Sequence, residues 1–122
     1  VVVYYRLSAN NIAVRLAGEI EYFRWLDTLD KSKRTMVHVI VAQDEISDIF
    51  IGTYFLGSDR YMSLDGHLWQ TMVYQNDTKI ITMNYDSHCD AINGHRHFVE
   101  KFKSLLVGKL KTNAKSKSKK NN

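Results

Sequence analysis

The chain has 122 residues, 44% of them hydrophobic, with 17 Lys and Arg against 13 Asp and Glu. That length suits one domain and buries about two-thirds of its unfolded surface, so the fold needs no disulfide or metal staple. A single cysteine, Cys89, excludes an internal disulfide framework and fits a reducing compartment. No apolar run approaches the roughly 20 residues needed to span a bilayer.

Residues 1–5 (VVVYY) are β-branched and aromatic, and residues 12–16 alternate apolar and polar, with Ile12, Val14 and Leu16 on one face. The Ser/Asn turn between them predicts a hairpin. The opening VVVYYRLSANN has no basic region leading into an apolar stretch, so a signal peptide is not expected there. From Glu19 the period lengthens. Ile20, Phe23, Leu26 and Leu29 recur every three residues among charged positions, which predicts an amphipathic helix.

Residues 34–43 return to strand character with apolar side chains on both sides, as expected of a central strand covered on two faces. The acidic AQDEISD stretch reads as a turn, and residues 49–56 (IFIGTYFL) as a long strand. Gly52 within that strand marks a bulge or a close backbone approach. Residues 58–67 form a polar loop, after which residues 68–74 and 79–84 bracket a second hairpin at Gln75-Asn76-Asp77-Thr78. A final helix is expected to reach Leu110, with a core stripe of Ala91, His95, Phe98, Phe102 and Leu105. The expected class is α+β in the order ββαββββα: a mainly antiparallel sheet of five or six strands with two helices.

The charge is unevenly spread. Residues 109–122 hold six lysines (Lys109, Lys111, Lys115, Lys117, Lys119, Lys120) and no acid, so residues 1–108 carry 11 basic and 13 acidic groups, a net of −2. The domain is therefore expected over residues 1–108. The lysine-rich end lacks the apolar surface to offset its ordering entropy and is expected to be disordered. Such a tail reads first as a solvated, solubilising end and second as a non-specific contact to phosphate backbones.

The series YFRWLDTLDKSKRTMVHVIV, IFIGTYFLGSDR, LWQTMVY and CDAINGHRHFVEKF resembles a group of small phage and prophage proteins of uncharacterised function. The likeness runs over residues 3–102. The matching positions are Trp25, Arg34, Phe55, Leu56, Gly57, Asp59, Thr71, Met72, Ala91, Gly94 and His95. Arg60 and Gln70 depart from the group, which carries His and Glu there. The resemblance implies a phage origin and the cytoplasm of a host bacterium, and it implies no reaction.

The residues with chemical potential are few. His88, Cys89 and His95 are the weak candidates for a metal, but their spacing matches no ordinary zinc pattern. His95 falls on the apolar stripe of the last helix, so burial would oblige it to find a partner such as a backbone carbonyl or Asp59. Gly94 beside it favours close packing of helix on sheet. Asp65 and His67 form a generic acid–base pair in the polar loop, and Tyr54, Tyr61, Trp69 and Tyr74 are candidates for a recognition surface. No nucleophile elbow, phosphate loop or paired-carboxylate motif is present, and no cofactor is expected. The expected function is binding of a host or phage macromolecule, a protein before a nucleic acid, with no membrane partner. Nucleic-acid binding through the lysine tail is the alternative, and a metal-dependent hydrolase a distant third.

Overall fold

The computed structural model describes residues 2–59 and 67–120, with residues 111–120 described in backbone only. The elements are β1 (Tyr5–Leu7), β2 (Ala13–Arg15), α1 (Glu19–Asp27), a 3-10 turn (Lys31–Lys33), β3 (Val39–Ile46), β4 (Ile49–Phe55), β5 (Trp69–Gln75), β6 (Thr78–Tyr85) and α2 (His88–Lys120). The α+β class and the order ββαββββα are those read from the sequence, and every strand pairing is antiparallel.

Among the described residues the strands divide into a β1-β2 hairpin and a four-stranded sheet in the order β3-β4-β5-β6. The hairpin hangs from the end of β4. The Tyr5 amide donates to the Gly57 carbonyl (2.7 Å) and the Asp59 amide to the Val3 carbonyl (3.1 Å). The Asp59 carboxylate in turn accepts from the Val3 amide at 2.8 Å. These bonds use the edge of β1 on the segment after β4, so β1 does not extend the large sheet.

β3 is an edge strand, which corrects the expectation of a central one. It also runs through most of the acidic stretch, leaving only Ser47-Asp48 as its turn to β4, with Ser47 at φ 56. Charged residues on an exposed edge discourage pairing with other chains. The second hairpin turns on Asn76 and Asp77, both in the left-handed region (φ 48 and 66), as two-residue hairpin loops favour. Of the two readings of Gly52, a bulge or a close approach, the bulge is not found there; in β3 the register skips between Ile40 and Ala42. Gly52 keeps regular register opposite Gln43 and Met72, and the Tyr54 ring folds over it.

α2 crosses one face of the sheet and splits the core in two. One cluster gathers Tyr4, Tyr22, Leu26, Val39, Phe55, Trp69 and Ala91; the other gathers Ile46, Ile49, Ile51, Val73 and Phe98. In α1 the anchor is Tyr22, not Ile20, which is exposed. The Tyr22 ring lies against Gly57, and its hydroxyl donates to the Val37 carbonyl at 2.5 Å. α2 continues ten residues past the Leu110 expected as its end. Lysine and alanine propagate helices well, and lysines near a C-terminus complement the helix dipole. At about 1.5 Å per residue its 33 residues span roughly 50 Å, against roughly 27 Å for an eight-residue strand.

Candidate functional site

Between the two apolar clusters lies a polar layer built from three elements. Thr53 on β4 and Thr71 on β5 are directly opposite in register, and both are fully buried beneath α2. Their hydroxyl oxygens are 2.5 Å apart. His95, one turn after Ala91 on α2, is buried over them with Nδ1 2.7 Å from the Thr53 hydroxyl. Its Nε2 lies 2.7 Å from an Asp44 carboxylate oxygen on β3. The Asp44 side chain is 49% exposed, so it alone of the four meets solvent.

The bond directions follow from the inventory of donors. A carboxylate only accepts, so Nε2 carries the proton and donates to Asp44. In neutral His95, Nδ1 then accepts from the Thr53 hydroxyl, whose oxygen accepts from Thr71. The order Asp–His–Thr matches that of an activated nucleophile. Thr53, however, has no exposed surface and spends its oxygen on Thr71, so no substrate atom can approach it. The arrangement satisfies a histidine and two hydroxyls inside an apolar interface and fixes the register of helix against sheet.

The bulge in β3 aims Asp44 at this layer. Ile40 pairs with Tyr54 but Ala42 with Thr53, so the extra residue, Val41, reverses which side chains face α2. Ala42, Asp44 and Ile46 then share the helix-facing side with Thr53, Ile51 and Ile49. Asp44 opens into a surface depression of about 230 Å³ lined by Ala42, Ile92, His95, Arg96 and Val99. At the inner end of the layer, the Tyr85 hydroxyl is enclosed without an aligned hydrogen bond. Burial pushes its pKa up and the neighbouring Thr71 hydroxyl pulls it back. The Tyr85 ring occupies the space that Gly94 leaves open, which is the close approach read from Gly94.

The remaining sequence candidates scatter. Asp59 is not the partner of His95; it bonds to the Val3 amide. His88, Cys89 and His95 do not form a metal centre. His95 is committed to Thr53 and Asp44, Cys89 is exposed, and no three His, Cys, Asp or Glu side chains converge as ligands among the described residues. His88 lines a different depression beside Leu7, Trp25, Leu29 and Val39, and burial pushes its pKa down. His67 pairs with Asp86, and its expected partner Asp65 lies outside the described residues, as do Arg60 and Tyr61.

Gly57 is required by its φ of +76° as well as by the Tyr22 ring. Trp25 packs edge-on against Phe55, and Leu56 is buried beside it. Arg34 reaches Asp27 at 3.6 Å. Lys109 borders a groove between α2 and the β3–β4 turn, and the side chains of Lys111, Lys115, Lys117, Lys119 and Lys120 lie outside the described set.

Met72 belongs to the sheet's other face, with Gln43, Phe50, Tyr54, Gln70, Tyr74 and Asn84. Among the described residues no helix packs across that face, and Phe50, Gln70, Met72, Tyr74 and Asn84 are each half-buried. The Phe50 and Tyr74 rings stand 6.4 Å apart, and the Tyr74 hydroxyl reaches the Met72 sulfur at 3.6 Å. Gln70 donates to Asn84 at 2.9 Å, and Gln43 to the Tyr54 hydroxyl at 3.1 Å. No helix of the described residues is long and apolar enough to cross a membrane. Neither a family model, nor a curated protein, nor a solved structure matches the chain.

Proposed function

We propose that the chain is a small phage- or prophage-encoded accessory protein, working in the host cytoplasm, that acts by binding another protein through the open face of its sheet. Inhibition of a host or defence protein is the role that such binding would serve. The observation that carries this reading is the contrast between the sheet's two faces. On one, the group best suited to chemistry is sealed into a satisfied network. On the other, half-buried aromatic, thioether and amide side chains face outward, and among the described residues no helix lies across them. Aromatic residues and methionine are enriched at protein interfaces, and amides supply adaptable hydrogen bonds.

Affinity capture from infected bacteria tests the proposal. The wild-type chain and His95→Gln should retain the same protein in stoichiometric amount, while the double variant Met72→Lys, Tyr74→Lys should lose it by at least about tenfold. Retention by the double variant would contradict the assignment of the face.

Nucleic-acid binding through the lysine-rich end is the second reading, supported by six lysines without an acid in residues 109–122. Affinity for single-stranded DNA or RNA should then fall steeply with salt, and replacing the six lysines by glutamine should abolish both the affinity and its salt dependence.

A further inference from the structure

The open face of the sheet is chemically uneven. Along most of its length Gln43, Tyr54, Gln70, Met72 and Asn84 present neutral groups. At the end that holds the two hairpin turns the character changes. There Phe50 and Tyr74, directly opposite in register and both half-buried, line a depression of about 260 Å³ together with Glu45, Asp48 and Asp77. The β3 bulge that turns Asp44 toward α2 leaves Glu45 on this side.

The three carboxylates are exposed and take part in no ion pair among the described residues. No base lines the depression; Lys79 stands opposite Tyr74 on β6 but is not part of the lining. Asp48 accepts from the Gln75 amide at 3.0 Å, which holds it at the rim and keeps its second oxygen for another donor.

Acids on turns alone would form a solvated end of the domain. Here they surround two aromatic rings, and a ring face is itself negative, so both parts of the lining attract the same ligand: a cation with a flat apolar surface. An anion is repelled by both. A neutral apolar group would strip water from the carboxylates and leave them unpaired. Guanidinium fits better than ammonium, because it is planar, weakly hydrated, stacks on rings and carries forked donors that match a carboxylate.

We propose, resting on the open face as the protein-binding surface, that its partner presents an arginine to this depression. The guanidinium covers the Phe50 and Tyr74 rings, and its donors are met by the carboxylates of Glu45, Asp48 and Asp77. The neutral remainder of the face takes apolar and amide groups. The partner segment is thus basic at one end, which fixes its direction along the sheet.

Titration of the isotope-labelled full chain with acetylated, amidated decapeptides of arginine, citrulline and glutamate tests this. The amide signals of Phe50, Tyr74 and Asp77 should move and saturate with the arginine peptide, and less so as salt rises. Citrulline keeps the planar group without its charge and should bind at least about tenfold more weakly, and glutamate should not bind. Glu45→Gln with Asp77→Asn should weaken the arginine peptide at least about tenfold. Both positions are exposed, and asparagine tolerates the left-handed φ of 66 at position 77, so the fold is retained. Asp90→Asn with Glu100→Gln removes the same charge from exposed positions of α2 and should change nothing. Tyr74→Leu keeps every carboxylate yet should weaken binding about threefold, the share of one exposed ring.

Equal binding of the citrulline peptide overturns the proposal, as do shifts spread over the acids of the whole surface or an equal loss in the α2 variant. So do the same signals moving with chain concentration alone or with single-stranded DNA, which would make a second copy or a nucleic acid the occupant. Capture from infected bacteria separates this contact from the face itself. A protein lost by Met72→Lys, Tyr74→Lys but kept by Glu45→Gln, Asp77→Asn leaves the face standing and overturns the arginine. A protein kept by both variants overturns the face as well.

Discussion

His95 is the residue on which helix and sheet agree, and its value lies in what its removal exposes. His95→Leu keeps the apolar packing but leaves the Thr53 hydroxyl without its acceptor inside a sealed interface, a cost of about 2–4 kcal/mol. Asp44→Ala should cost less, about 1 kcal/mol, because the carboxylate is half in water and His95 keeps Thr53. Urea unfolding of the two single variants and the double variant measures the coupling: the double variant should cost less than the sum of the singles, because the two groups share one bond.

Other histidines set the response to acid. Burial pushes the pKa of His38 and of His88 below the ordinary 6.5. The unfolded chain then binds more protons than the folded one as pH falls below that value, so their contribution is full above it and is lost toward the folded pKa. The melting temperature should decline between about pH 7 and about pH 5, and His88→Gln should flatten part of that decline.

At the scale of elements, the junction after β4 concentrates the most constraint in the fewest atoms. Gly57 turns with a left-handed φ, receives the Tyr5 amide on its carbonyl, and lies flat against the Tyr22 ring. Gly57→Ala should cost about 2–4 kcal/mol, read by urea unfolding, since it adds backbone strain and displaces the ring that anchors α1. This junction was legible in the sequence: Gly57 closed a strand of strong β character, and the hairpin, both helices and their order followed from periodicity and turn residues.

What the sequence concealed was parity. Residues 34–43 alternate without a mark, and a one-residue bulge at Val41 turns Asp44 inward where simple alternation points Gln43 and Glu45 inward. Asp44 therefore read as part of an acidic turn, and its bond to His95 was not foreseeable. Thr53 hid for a related reason. A threonine among Ile49, Ile51 and Phe55 looks like an ordinary strand residue until a histidine from a helix 42 positions away is placed over it. The stripe of α2 was readable in spacing, but where the sheet stops beneath it depends on tertiary register, so Leu105 was assigned to the core and lies at its edge.

For the molecule as a whole, one sheet separates two kinds of surface. Its helix side is closed by a histidine layer that holds α2 in register, and its open side offers Phe50, Met72 and Tyr74 with a ring of amides. The formal charge of +4 belongs to neither, because it is a −2 body joined to a +6 helical end. The open face is the surface that the proposed binding needs. A photo-reactive phenylalanine analogue in place of Tyr74, compared with one at Arg96 on the helix side, tests it directly in infected cells. Position 74 should give one cross-linked protein and position 96 none. Equal cross-linking from both positions, or a product from position 96 alone, would contradict it.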